Sequence, residues 1–137
     1  LPTILLIALG GATGAVARYL TYLGARSLPA LPSYAATMTV NLLGCLLIGV
    51  AMTIIEQQHQ LQREILMFGV VGFLGSYTTF SAFGLESYNL ISSGEFVSMM
   101  ISVSLNLVLG ITAVWASRSI TLLIISLLYK NLLYKIK

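Results

Sequence analysis

The sequence predicts an all-α membrane protein with four transmembrane helices, because it is strongly apolar and contains four long apolar segments. Of its 137 residues, 58% are hydrophobic and only 8% are charged, and the mean hydropathy is +0.95. Average globular domains carry about 25% charged residues, so this composition excludes an ordinary soluble domain. The length allows one compact domain and leaves no room for a separate nucleotide-binding domain.

Each span requires about 20 mostly apolar residues, and short polar or proline-containing joints divide the chain into four such segments. The joints are Arg26–Ser33, Glu56–Glu64 and Ser92–Glu95. The predicted spans cover residues 3–23, 34–55, 65–91 and 96–116, within a four-helix membrane domain of residues 1–118. Because all joints are short, helices adjacent in sequence should be neighbours in space.

The tail, residues 119–137, is predicted to lie at the membrane interface. Its apolar stretch, residues 120–129, is too short to span a bilayer alone. We therefore expect the fourth helix to end near Ser117–Ser119 and a second, interfacial helix to follow. The basic residues of the tail favour lipid head groups over nucleic acid as partner. They are Lys130, Lys135 and Lys137.

The spans contain few ionisable groups. The chain has no Asp, and the third span has Glu86 only near its end, where we interpret it as interfacial. A proton-coupled multidrug exporter would need an ionisable group inside the membrane. The single Cys45 excludes a disulfide framework and a metal–thiolate site.

Neutral polar residues do occur inside the spans. Asn41 lies in the second span, and a buried amide in lipid is costly without a partner. In the fourth span polar or small residues recur every fourth position and form one slowly drifting stripe. Its members are Ser98, Ser102, Asn106 and Gly110. The stripe serves either interhelical hydrogen bonding or a polar track, and neutral donors along a track would suit a small anion.

The segment "GFLGSYTTFSAFGLE" in the third span predicts a helix break at residues 75–79, because glycine and β-branched threonine are poor helix formers. Non-helical backbone at membrane depth survives only where protein buries it or where it lines a cavity, and such breaks can hold ions. Phe80 and Phe83 follow on one helix face, with Ser81 between them. The two rings either pack or present their electropositive edges to an anion.

Three segments resemble the Fluc (CrcB) family of fluoride channels. They are "GGATGAVARY", "NLLGCLLIG" and "GSYTTFSAFGLE". The resemblance implies an antiparallel, dual-topology homodimer with two fluoride pathways in a bacterial inner membrane. Without the tail, flanking cations are balanced at two on each side, which agrees with insertion in both orientations. They are Arg63 and Arg118 against Arg18 and Arg26.

The resemblance also implies roles for individual residues. Asn41 would line the pore, and Phe80 and Phe83 would meet fluoride with their ring edges, with Ser81 beside them. Ser102 and Asn106 fall on the family's fourth-helix polar track, and Arg18 lies near its aqueous vestibule. Backbone oxygens of Gly75 and Thr78 would hold a structural sodium ion on the dimer axis.

The function this implies is passive, selective fluoride export by a channel that is not an enzyme. Two alternatives remain open at this point. A small dual-topology multidrug transporter would need a carboxylate within an early span, and none is present. A non-transporting membrane scaffold would need neither the Asn41 amide nor the polar stripe.

Overall fold

The computed structural model describes residues 1–28, 30–57 and 62–136, and all secondary structure within these ranges is helical. The prediction of four membrane-spanning helices is confirmed, since four are long and apolar enough to cross a bilayer. They are Thr3–Arg26, Ala35–Gln57, Gln62–Ser92 and Phe96–Leu132. We name Thr3–Arg26 α1 and Ala35–Gln57 α2. The division into residues 1–118 and a separate tail stays a prediction.

The third span changes its backbone geometry twice. An α-helical turn at Gln62–Glu64 leads into a π-helix at Ile65–Leu74, and a second α-helical turn follows at Gly75–Tyr77. We call these three pieces together α3. π-Helical segments are rare and frequently accompany functional sites. The sequence does not predict this segment.

Two residues separate α3 from the next helix, Phe80–Ser92, which we name α4. Thr78 has φ −78° and ψ 159°, and Thr79 has φ −152° and ψ 118°. Both are therefore extended, at two of the five positions where the sequence predicts a break. Gly75 and its two successors are helical instead, because neither glycine nor serine forbids one more turn.

Close backbone contact joins α1 to α3. Gly10 and Gly14 of α1 are buried. A methyl group at Gly14 would overlap the Phe73 carbonyl, and one at Gly10 would overlap the Phe68 carbonyl. Small residues permit this approach between helices in lipid, where helices gain no hydrophobic drive to associate.

A tight turn reverses the chain after α4. The Gly94 amide donates to the Ile91 carbonyl at 3.0 Å and the Glu95 amide to the Leu90 carbonyl at 2.8 Å. Gly94 has φ +80°, a left-handed conformation that glycine adopts without steric cost.

The last helix, α5, runs unbroken from Phe96 to Ile136. The expected helix end at Ser117–Ser119 is therefore wrong. The hydroxyls there bond within the helix, from Ser117 to the Val114 carbonyl and from Ser119 to the Trp115 carbonyl, so they do not compete with helical backbone. At 1.5 Å per residue the 41 residues extend about 60 Å, roughly twice the hydrocarbon thickness. The interfacial position of the tail stays a prediction, and Lys137 lies outside the described residues.

Two polar contacts mark one end of the bundle. The Arg118 guanidinium donates to both carboxylate oxygens of Glu56, at 3.0 and 2.7 Å. The Arg63 guanidinium donates to the Thr3 hydroxyl at 2.6 Å. The start of α1, the end of α2, the start of α3 and the Arg118 level of α5 therefore lie on the same side.

Candidate functional site: a polar cavity at the helix break

The amide side chain of Asn41 holds the extended backbone at the break. Its Oδ1 accepts the Thr79 backbone N–H at 3.1 Å, and its Nδ2 lies 3.4 Å from the Thr79 carbonyl oxygen. Both backbone groups of one extended residue therefore face one side chain. These contacts offset the cost of burying the Asn41 amide in a membrane span. In return, the amide pairs with backbone groups of Thr79 that lose their helical hydrogen-bond partners at the break.

The break also frees the two carbonyls that the family resemblance assigns to sodium. In a continuous α-helix the Thr79 amide would bond the Gly75 carbonyl, and the Ala82 amide would bond the Thr78 carbonyl. Here the Thr79 amide donates to Asn41 and the Ala82 amide donates to the Thr79 hydroxyl at 3.2 Å. Both carbonyls have lost their helical donors, so these residues fit a site for a hard cation that prefers oxygen ligands. Among the described residues there is no cluster of His, Cys, Asp or Glu that could hold a metal.

A cavity of about 360 Å³ opens beside the break, and neutral side chains line it. Phe80 and Phe83 both face this cavity, with ring centroids 5.8 Å apart and planes inclined at 50°. Phe80 is 84% exposed, whereas Phe83 is half-buried. The remaining lining residues are Asn41, Gly44, Cys45, Ile48, Thr78, Thr79, Asn106 and Leu107. The lining therefore combines amide and hydroxyl groups with two aromatic rings and carries no fixed charge.

The two predicted residues of the last helix play different parts. Asn106 lines the cavity, and its Oδ1 lies 3.4 Å from Nδ2 of Asn41. Its own Nδ2 donates to the Ser102 carbonyl at 2.9 Å. Ser102 is only 2% exposed and does not line the cavity. Ser102 therefore reaches the site through its carbonyl, which orients Asn106.

Arg18 and Ser81 lie together in a second cavity, of about 400 Å³. Tyr22, Thr79, Ala82 and Leu85 complete its lining. Because α1 continues to Arg26, Arg18 lies about two helical turns before the end of its helix. Arg18 shares this cavity with Ser81, and neither phenylalanine lines it, so the positive charge of Arg18 lies outside the neutral cavity.

Thr79 lines both cavities, and sequence reasoning did not select it as a site residue. Its hydroxyl accepts the Ala82 amide and lies 3.2 Å from the Ser81 hydroxyl, so it caps α4. Threonine is a favoured N-cap residue, and a threonine three positions before the helical Ala82 is the signal that could have identified it.

A buried polar chain connects three helices near the second cavity. The Thr37 hydroxyl donates to the Glu86 carboxylate at 2.6 Å and lies 3.0 Å from the Tyr22 hydroxyl. Thr37 is 1% exposed, and Glu86 is half-buried. Glu86 thus has a protein partner, and its interfacial position stays a prediction.

Four membrane-spanning helices with a polar cavity beside a helix break define a small multi-pass membrane protein of the channel or transporter class. The family model described as "CrcB-like protein, Camphor Resistance (CrcB)" matches residues 5–118. The chain belongs to the CrcB family, as its three motifs predict.

Curated relatives agree with this assignment, and each of the following is named "Fluoride-specific ion channel FluC". The protein from Solibacter usitatus is 43% identical over 111 residues, covering 81% of this chain and 91% of the relative. The protein from Flavobacterium psychrophilum is 39% identical over 113 residues, covering 82% and 91%. That from Hahella chejuensis is 36% identical over 124 residues, covering 90% and 98%.

Proposed function

We propose that this protein is a fluoride channel that lets fluoride leave the cell passively across a bacterial inner membrane. The observation that carries the proposal is the neutral cavity shared by Asn41, Phe80, Phe83 and Asn106 in a chain of the CrcB family. The choice of fluoride as the transported ion rests on the names of the relatives, which are called fluoride-specific ion channels.

The lining suits a small, strongly hydrated anion. A pathway for such an ion must replace its hydration shell at close range. The amide of Asn41 and the hydroxyls at the break can donate hydrogen bonds, and the ring edges of Phe80 and Phe83 carry partial positive charge. A fixed cation at this point would hold the anion too tightly for rapid passage. Arg18 instead lies in the second cavity, where it raises the local anion concentration.

The channel acts as an antiparallel homodimer with its protomers in opposite orientations. An exposed Phe80 beside a polar cavity leaves the pathway incomplete in one protomer, so a second copy must close it. The balanced flanking cations of the four-helix region agree with insertion in both directions. Cross-linking should therefore join residues at opposite ends of two chains, and parallel neighbours alone would contradict this assembly.

A sodium ion bound by the backbone carbonyls of Gly75 and Thr78 at the helix break would stabilise that dimer. Gly75 is exposed and Thr78 half-buried, so their freed carbonyls are available to an ion that a second protomer also binds. Bound there, sodium would supply positive potential near the pathway and link the two protomers. The chain's part is to hold the Thr78–Thr79 backbone extended, which Asn41 does.

Fluoride efflux from liposomes that contain the purified protein tests the function, with chloride as control anion. Wild type should release fluoride and retain chloride. Phe80→Ile and Phe83→Ile should each reduce fluoride flux while the dimer survives, because substitutions that roughly keep volume usually cost under about 1.5 kcal/mol. Phe68→Ile is the matched control, since Phe68 lines neither cavity. Equal chloride and fluoride release by wild type would refute the proposal.

The two alternative classes gain no specific support. A multidrug transporter needs an ionisable group at its substrate cavity, whereas neutral side chains line this one. A scaffold without transport would have no use for a cavity that unites the amide groups of two helices with two rings. Transport of a lipophilic cation by the purified protein, without fluoride efflux, would favour the first alternative.

A further inference from the structure

Gly44 of α2 meets the helix break directly. A methyl group at this buried position would overlap the Thr78 Cγ2 methyl and would lie 3.6 Å from Thr78 Cβ. A Cβ at Gly49 would also overlap a facing side chain, the Ser117 hydroxyl, and one at Gly11 would lie 3.2 Å from the Ser76 hydroxyl, but both serines are helical. A Cβ at Gly10, Gly14 or Gly72 would meet the backbone of a facing helix. Gly44 alone contacts an extended residue of the break.

The orientation of Thr78 is fixed on its other side. Its hydroxyl donates to the Leu74 carbonyl at 2.9 Å, which directs the Cγ2 methyl towards Gly44. Thr78 cannot turn this methyl away without losing that hydrogen bond or leaving a staggered rotamer. An added methyl at Gly44 would therefore move Thr78, either by displacing its backbone or by breaking its hydroxyl bond to the Leu74 carbonyl.

Asn41 and Gly44 lie three residues apart, so both face the break from the same side of α2. Asn41 binds the backbone of Thr79, and Gly44 receives the side chain of Thr78. Phe80, the first residue of α4, follows directly. The direction of the Phe80 ring therefore depends on the positions of Thr78 and Thr79.

We propose that Gly44 is a positioning residue of the conduction pathway. Its missing side chain leaves the space in which Thr78 sits, and this fixes the exit direction of the chain towards Phe80. The proposal rests on the fluoride-channel function above, and it adds a residue whose effect is steric and local. It requires that the effect of a methyl at Gly44 vanish when the opposing methyl of Thr78 is removed.

A double-mutant cycle tests this coupling. Gly44→Ala is made in wild type and in the Thr78→Ser background, because serine keeps the hydroxyl that bonds to Leu74 and lacks Cγ2. In wild type, Gly44→Ala should lower fluoride flux by roughly tenfold or more, and in the Thr78→Ser background the same change should cost about twofold or less. Gly24→Ala is the matched control, because no atom lies within 4 Å of its added methyl.

A second measurement follows the ring rather than the flux. A fluorine-labelled phenylalanine at position 80 should give a fluorine NMR signal that moves in Gly44→Ala and returns in the double variant. Dimer content on size-exclusion chromatography should stay unchanged. An equal loss in both backgrounds, an unmoved signal, or a failure of Gly44→Ala to assemble in either background would overturn the proposal. A wild-type protein without fluoride efflux would instead refute the channel function itself.

Discussion

Replacing Asn41 with leucine tests whether the break depends on one side chain. Leucine keeps much of the shape of asparagine and removes all its hydrogen bonds. The well-formed bond lost is the one from the Thr79 amide at 3.1 Å. The two contacts at 3.4 Å exceed the usual length of an N–H···O hydrogen bond and should add little.

The magnitude follows from what is left behind. Thr79 is buried, with 9% exposure, so its amide would have no water to replace Asn41. An unsatisfied buried donor costs about 1–3 kcal/mol. We expect Asn41→Leu to lower the free energy of unfolding by that amount and to lower fluoride flux further, because the cavity loses its amide donor as well.

Equilibrium unfolding in mixed detergent micelles measures the first effect, and fluoride efflux from liposomes measures the second. Asn89→Leu is the matched control, since Asn89 is an exposed amide near the end of α4 and should change neither quantity. Asn41→Leu with wild-type stability would refute the idea that this amide holds the break. Wild-type flux in the same variant would remove Asn41 from the pathway.

Three further changes have defined outcomes. Gly14→Ala should lower the free energy of unfolding in micelles by about 1–3 kcal/mol, the usual cost of overpacking, because the added methyl would overlap the Phe73 carbonyl. An unchanged free energy of unfolding would mean that α1 and α3 can move apart without cost. Thr79→Val should cost about 0.5–2 kcal/mol through the lost helix cap, whereas Thr79→Ser should stay close to wild type by the same measurement. Truncation after residue 121 should leave fluoride efflux from liposomes intact, since the family match ends at residue 118. Loss of efflux in the truncated protein would show that the tail takes part in conduction.

The sequence predicted the spans well because hydropathy reports burial in lipid directly. It located the break less well. Glycine and threonine propensities marked Gly75–Thr79, whereas the extended residues are Thr78 and Thr79. Propensity says that a helix is weak, and tertiary contacts decide where it breaks. Here the Asn41 amide, 38 residues earlier, fixes the point, and no local pattern records that pairing.

The prediction of a helix end after the fourth span was wrong for a different reason. The sequence predicted a helix end near Ser117–Ser119 because the apolar stretch that follows, residues 120–129, is too short to span a bilayer alone. Serine hydroxyls can instead bond carbonyls within their own helix, as they do here, and Arg118 pairs with Glu56 on α2. Bilayer thickness limits the length of a span, but it does not limit the length of a helix.

The four members of the polar stripe of the last helix have different neighbours in the structure. Ser98 lies near the helix start and donates to Glu95 at 3.4 Å, and Ser102 is buried. Gly110 leaves room for Cys45, whose sulfur would lie 3.4 Å from an added methyl. Within the described residues, only Asn106 of the four faces the cavity. A repeat of four drifts around a helix of 3.6 residues per turn, so successive members turn to different neighbours. Of the four, Asn106 is therefore the member in position to serve a polar track, and the other three are in position to serve helix packing and local hydrogen bonding.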